Sequence, residues 1–588
     1  MIKSRELFAN LKISLLTLKK ISIFGLVLKI ACSFIIPLIS VFLTYIVKCV
    51  LDGIVYRNSG NSIIVIYIVV YFFIKVIELT LDGLVEYSEQ IENLRLRKYV
   101  EKEIISKCTV LDIKQFDNAE LYDELQYVQC NYTSISSLMW KCIEIFSSFL
   151  AFFTIFSVTI KDMYVYIPFV VVSCIPAGIA RIKFSNEMYN ISVEQLADER
   201  KLDYLTYLAY QKDFSSEVRV YSLKKVLLSK YNNVYAKLLL RKDRALKKNC
   251  LISIILLGLP EVIFCIIMLD ILKKIILGEM TVGDFSLYLG ILGQVWGNIM
   301  KIIYNINAIN EDNYNVNFYR KFLKREPEIQ NGEIVINEIQ CIEFQNVYFK
   351  YPYSDDYVLE NFSFRIDKGE KIAIVGENGA GKSTIIKLLL RFYDVEKGII
   401  LVNGYDIRNL VYDNLRNLVG LYFQNSNNYA FPLYENVIIS DTENKEHKKF
   451  NKAVQLSGMY DVVRNKKLHF TSYISKQFDQ DGIELSGGEH QKLALCRTLY
   501  RDSDWFIFDE PSAALDPKAE HMFFEKIRAV SKDKTIIYIS HRMSNILLTD
   551  RIVVVEKGHV LEDGTFEELM KNKSKFYDLY NYQKGLLH

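Results

Sequence analysis

The tightest constraint on this chain of 588 residues is a set of six long apolar stretches. Runs that long and that apolar read as membrane-crossing helices. The first, Ile21 to Val47, would rise about 1.5 Å per residue as a helix and reach roughly 40 Å, more than the ~30 Å hydrocarbon core of a bilayer. It follows a basic start with Lys3, Arg5, Lys12, Lys19 and Lys20. A secretory signal would carry a shorter apolar core and a small-residue cleavage site, so this stretch is expected to be a retained, tilted span. The others fall near 63–81, 138–160, 164–182, 251–276 and 284–306. Hydrophobic residues make up 51% of the chain and charged ones 24%, so the charges must be segregated from the spans.

The spacing of the stretches sets a topology. Short connections join spans 1 and 2 (Arg57 to Ser62), 3 and 4 (Lys161-Asp162-Met163) and 5 and 6 (Leu277 to Gly283). Between spans 2 and 3, and between 4 and 5, lie about 55 to 70 polar residues with helical patterning. They are too rich in charge and helix formers for disordered loops, so helices extending well beyond the membrane are expected. The basic N-terminus argues for a cytoplasmic start, and an even number of spans returns the chain to that side. Lys29, Lys75, Glu78, Lys141, Glu144, Glu261 and Asp270 fall inside spans, where each needs a partner or a wet cavity. Lys75 with Glu78, and Lys141 with Glu144, are spaced to pair with each other along a helix. Glu261 follows Pro260, which loosens the helix there. It is expected to face a central cavity and meet a cationic or polar substrate.

Composition changes after Glu326-Pro327, and from Gln340 strands alternate with turns and helices, as in an α/β domain. The expected division is a cytoplasmic segment (1–20), an all-α six-helix transmembrane domain (21–325), a linker (326–339) and an α/β P-loop NTPase domain (340–588). The central stretch of that last domain is Gly376-Glu377-Asn378-Gly379-Ala380-Gly381-Lys382-Ser383-Thr384. It lies between a strand-like run, Lys371 to Val375, and a helix-like run, Ile385 to Arg391. Strand, glycine-rich turn and helix form a P-loop. The glycines let backbone N–H groups curl around phosphate oxygens, and the helix N-terminus adds donors and a positive dipole end. Lys382 is suited to the β- and γ-phosphates, and the Ser383 hydroxyl to Mg²⁺. The chain is therefore expected to bind a nucleoside triphosphate.

Further candidates flank this loop. Tyr351 lies about 25 residues before it and is suited to stack on adenine, although a tyrosine closing a core strand has the same pattern. Val419 to Phe423 reads as a strand ending in Gln424, placed to touch the metal or an attacking water. Leu485-Ser486-Gly487-Gly488-Glu489 opens a helix to Tyr500 and makes a second phosphate-facing helix N-terminus. Trp505 to Phe508 is an apolar run ending in Asp509, suited to hold Mg²⁺, and Glu510, suited to orient or deprotonate water. Thr535 to Ile539 ends in Ser540-His541, and His541 is suited to the γ-phosphate.

Motifs of this identity and order resemble the ATP-binding cassette family, and the resemblance covers essentially the whole chain as a half-transporter of the exporter type. It implies two copies meeting head to tail, with each ATP between Lys382, Ser383 and Tyr351 of one subunit and Ser486 and Gly488 of the other. It implies coupling helices at Phe116-Asp117-Asn118-Ala119-Glu120-Leu121-Tyr122 and at Ser216-Glu217-Val218-Arg219-Val220-Tyr221. The chain departs from the family in places. Ala513 stands where serine is usual, and Glu489 where glutamine is commoner. Tyr429-Ala430-Phe431-Pro432-Leu433 and His490-Gln491-Lys492 resemble exporters of modified peptides such as lantibiotics more than multidrug exporters. About 20 residues precede the first span, so leader removal from such a cargo is expected to fall to another protein.

A net charge of +3 gives no argument for nucleic acid. Ten cysteines without a CxxC pair and seven histidines without an HExxH pattern point to neither a disulfide framework nor a zinc site. The expected function is ATP-driven export of a peptide or related small compound by a homodimer in a lipid bilayer. Multidrug or lipid export is the alternative within that class. An ATP-gated channel or regulatory membrane sensor is the alternative outside it.

Overall fold

The computed structural model describes residues 4–56, 61–159, 165–352, 354–424, 426–511, 523–528, 533–540, 546 and 549–585. The chain divides into two compact units, Met1–Val110 with Ala119–Arg325, and Leu111–Asn118 with Glu326–His588. In chain order the first helices are α1 (Ser4–Ile21), α2 (Ile23–Tyr56), α3 (Asn61–Cys108), α4 (Ile113–Phe116), α5 (Ala119–Cys130), α6 (Ser134–Thr159), α7 (Tyr166–Tyr210), α8 (Lys212–Val220), α9 (Lys224–Ile276) and α10 (Val282–Lys324). All but α4 belong to the first unit.

Among the described residues, α2, α3, α6, α7 and α9 are long and apolar enough to cross a membrane. Outward side chains such as Phe72, Phe73 and Leu79 on α3, and Ile254, Ile255 and Leu269 on α9, are exposed. Apolar surface of that extent suits lipid or another protein, not water. The sixth expected span lies in α10, which is helical throughout but too polar to qualify by composition. The reason is its position. Leu287, Ile291, Leu292 and Val295 of α10 are buried with Val41, Ile155 and Ile267 from neighbouring helices. Its polar residues meet partners: Gln294 donates to the Thr44 hydroxyl (2.8 Å), Asn305 to Glu144 (3.0 Å), and Asp312 binds Lys141 (2.6 Å). A helix enclosed by other helices need not be apolar on every face.

Two sequence expectations change here. Lys141 and Glu144 do not pair with each other. Each turns to α10, Lys141 to Asp312, and Glu144 to Asn305 and Lys301. A partner on a facing helix is shielded from solvent more than one along an exposed helix face, and Asp312 is buried. Lys75 and Glu78 do pair, at 2.5 Å. Residues 4–20, expected to be a cytoplasmic segment, are not apart from the bundle. They form α1, which breaks from α2 at Ser22 and buries Asn10, Ser14, Thr17 and Leu18 on one face. The Asn10 amide donates to the Asn313 carbonyl (3.0 Å) and to its side-chain oxygen (2.9 Å). Asp270 accepts from Tyr166 and pairs with Lys274 (3.3 Å). Lys29 binds Glu89 (3.1 Å) and stands 4.4 Å over the Trp140 ring.

The second unit is built on two sheets. β1 (Cys341–Phe349), β2 (Leu359–Asp367), β4 (Lys397–Val402) and β5 (Tyr405–Asp406) form an antiparallel sheet in the order β2-β1-β4-β5. The other runs β10-β9-β3-β8-β7-β6, with β3 (Lys371–Val375), β6 (Val419–Tyr422), β7 (Trp505–Asp509), β8 (Thr535–Ile539), β9 (Arg551–Glu556) and β10 (His559–Gly564). Neighbours in it are parallel except β10 with β9. Every residue of β7 and β8 is buried, as strands covered on both faces must be. Residues 326–339 are not a free linker. Ile336 and Ile339 lie in the core, and the Ile339 carbonyl accepts from the Trp505 indole at 2.8 Å.

Besides α4, the described helices of this unit include α11 (Lys382–Leu389), α12 (Tyr412–Asn417), α13 (Leu433–Ile438), α14 (His447–Ser457), α15 (Met459–Asn465), α16 (Gly487–Tyr500), α17 (Phe566–Asn572) and α18 (Lys575–Gly585). α13 to α16 share an apolar cluster containing Leu433, Phe450, Met459 and Leu493.

Candidate active site

The order β3-β8-β7-β6 explains why motifs far apart in sequence converge. These strands are parallel, and their ends are level: Ile374 lies beside Ile539, Ile539 beside Asp509, and Phe508 beside Tyr422. The P-loop leaves β3, Ser540 leaves β8, Asp509 and Glu510 close β7, and Gln424 follows β6. Ligands of open α/β sheets bind beyond the carboxyl ends of such strands. His541, expected beside them, lies outside the described residues, as does Ala513.

The P-loop turns tightly. A Cβ on Gly376 would run into the Val555 carbonyl of β9, so only glycine lets the loop pass. Gly381 caps α11 with φ +100°, in the left-handed region. Glu377, Asn378 and Gly379 form an exposed crest, while Ala380, Lys382 and Thr384 are buried. The Lys382 ammonium donates to the carbonyls of Gly376 (2.8 Å) and Glu377 (2.9 Å). Burial lowers its pKa against the opposing pull of Glu510 and Asp509.

The acidic side of the site is formed by Asp509 and Glu510. The Ser383 hydroxyl lies 3.4 Å from Asp509 Oδ1. Burial, and then the charge of Glu510, push the Asp509 carboxyl up to about 6, with Ser383 and Lys382 pulling it down. A buried carboxyl crowded by a second one, with a hydroxyl beside it, is a donor set that fits a hard divalent cation. Glu510 has φ +47°, a conformation a non-glycine residue adopts at a cost and one found at functional sites. Its N–H donates to the Ile539 carbonyl (2.9 Å), and Gln424 Nε2 donates to its Oε2 (2.7 Å). Gln424 thus touches the carboxylate expected to act on water.

Other expected residues are placed differently. The Tyr351 hydroxyl lies 3.0 Å from Thr384 Oγ1 and accepts from Lys387 (3.2 Å), with its ring edge-on to Phe349 and Tyr393. Ser486 is the N-cap of α16, and Gly487 and Gly488 are its first residues. No described hydrogen bond ties these three to the P-loop of the same chain. The Ser486 N–H donates to Glu489 (2.7 Å), which also binds Lys466 (2.6 Å). Burial raises the Glu489 pKa, but Lys466 and Ser486 outweigh it and keep the carboxylate charged. The glutamate that departs from the family pattern is therefore matched by a lysine.

Phe116 ends α4, and the Asp117 carboxylate accepts from the Tyr393 hydroxyl at 3.2 Å. Tyr122 is exposed on α5, and Glu217 and Arg219 are exposed on α8. Glu261 is exposed on α9. Sequence reasoning missed Tyr393, Lys466 and Lys575. Each acts on a motif residue from far along the chain, and none carries a motif of its own.

A P-loop, two carboxylates and a glutamine at the ends of parallel strands, carried behind a bundle of membrane-length helices, define an ATP-hydrolysing membrane protein. Residues 359–513 match the family described as ABC transporter. The chain is 30% identical to the subtilin transport ATP-binding protein SpaT of Bacillus subtilis over 555 residues, 91% of this chain and 88% of that protein. It is 26% identical to the nisin transport ATP-binding protein NisT of Lactococcus lactis subsp. lactis over 571 residues, 96% and 93% of the two. A solved bacterial Atm1-family ABC exporter with ATP bound shares the fold, with a TM-score of 0.77 at 20% identity, covering 96% of this chain and 99% of that one. The chain belongs to the ABC transporter family. It is a multi-pass membrane protein that couples ATP hydrolysis to transport, as the sequence predicted.

Proposed function

We propose that the chain exports a peptide, of the modified kind its motifs resemble, as a homodimer with two ATP sites. The observation that carries the chemistry is the Gln424–Glu510 hydrogen bond at the strand ends that also bear Lys382, Ser383 and Asp509. Likeness along nearly the full chain to proteins named for subtilin and nisin transport supports the cargo class.

In this reading the P-loop N–H groups and Lys382 hold the phosphates, and Tyr351 meets the adenine. Ser486, Gly487 and Gly488 of the second copy close the site. Ser383 and Asp509, with Gln424 beside them, would hold Mg²⁺, which supplies positive charge against the β- and γ-phosphates. Glu510 accepts the proton of the attacking water, Gln424 fixes the carboxylate for it, and His541 is the candidate for a contact to the γ-phosphate. Phe116, Asp117 and Tyr122 on one connection, and Glu217 and Arg219 on the other, couple the cassettes to the helices. The Asp117–Tyr393 bond supports the first of these. Glu261, an exposed carboxylate on an apolar helix, faces the cargo path. Unchanged transport in Glu261→Leu would remove it from that role.

The test is ATP turnover of the purified protein in lipid nanodiscs with precursor peptides and cationic drugs added singly. Stimulation by peptides, lost in Glu510→Gln, is expected. Stimulation by apolar cations alone would move the cargo to drugs. Passive flux down a gradient without turnover would favour a gated channel.

A further inference from the structure

The C-terminal end of the cassette reaches back to the P-loop. The Lys575 ammonium, at the start of α18, lies 2.6 Å from Glu556 at the end of β9 and 3.0 Å from the carboxylate of Glu377. Its neighbour Phe576 is fully buried beside Val375, Val554 and Leu569, so Lys575 is mounted on a rigid base. The turn after β9 adds a second tie, with the Gly558 N–H donating to the Ala380 carbonyl at 3.3 Å. Glu377 is an anion on the crest of a loop whose task is to receive another anion. Such a charge next to phosphates opposes binding unless it is neutralised.

We propose that Lys575 is a positioning residue for ATP, cancelling the charge of Glu377 and holding the P-loop crest in the form that accepts the phosphates. The proposal rests on the assignment of Gly376 to Thr384 as the ATP site. Lys382 meets backbone carbonyls of the loop and Lys575 the side chain of its crest residue Glu377, so the two lysines divide the work. Lys382 serves the ligand and Lys575 the loop.

The experiment is ATP turnover against ATP concentration for the full-length protein in nanodiscs, at low and high salt. Lys575→Met should raise KM about three- to five-fold at low salt with kcat little changed, and the gap should narrow as salt screens the loop. Lys575→Arg should keep the wild-type KM. Removing both charges, Lys575→Met with Glu377→Gln, should bring KM back down, which a purely structural brace would not allow. An unchanged KM in Lys575→Met, or a double variant no better than the single one, overturns the proposal. If Lys575→Met does not fold, Glu377→Gln alone decides, since its KM must fall. A Lys382→Ala protein that still bound ATP normally would instead sink the site assignment itself.

Discussion

Glu510 is held in place by its own backbone as much as by its neighbours. A left-handed φ and a bond to the β8 carbonyl aim it, and Gln424 grips one oxygen. Glu510→Gln should therefore cut turnover about 10²- to 10⁴-fold while nucleotide binding persists, measured by phosphate release beside a binding assay. Gln424→Ala leaves the carboxylate but frees it, so its loss should be smaller, about ten-fold, and should fall on kcat more than KM. Gly376→Val should abolish nucleotide binding, because the branched side chain meets the Val555 carbonyl and pushes the loop away from β9.

Among the elements, α10 carries the clearest prediction. Asp312 of the Lys141–Asp312 pair is buried and Lys141 is half-buried, so Asp312→Ala should destabilise the helical unit by about 1–3 kcal/mol, read as a lower Tm in nanodiscs. Replacing both residues by leucine should recover much of that loss. This pair also marks where sequence reading stops. The cassette strands were legible because each is a short apolar run ending in a motif, and Lys371 to Val375 and Thr535 to Ile539 fall as expected. Lys141 was matched to Glu144 because a sequence displays only partners along one helix. Its actual partner arrives from 171 residues away through packing. The same limit hid Lys466 behind Glu489 and Lys575 behind Glu377. α1 is masked in the sequence by its lysines, which read as a cytoplasmic charge signal, although Phe8, Leu11, Leu15 and Leu18 recur at helical spacing.

At the scale of the whole molecule, the proposed head-to-tail dimer makes a mixing test possible. Lys382→Ala and Ser486→Arg chains should each be inactive alone. Co-expressed, they should regain part of the wild-type turnover, because one mixed site joins an intact P-loop to an intact Ser486. Chelating divalent cations should stop turnover in every active combination. The polarity of α10 has a further consequence, for how the protein is made. Gln294, Asn305 and Asp312 give it little reason to leave a translocon for lipid on its own, and their partners lie on α2 and α6, which are synthesised earlier. Integration of the last span should thus wait on helices already in the bilayer. In a glycosylation-mapping assay, α10 fused alone to a reporter should fail to insert, and the same helix behind α1 to α9 should succeed.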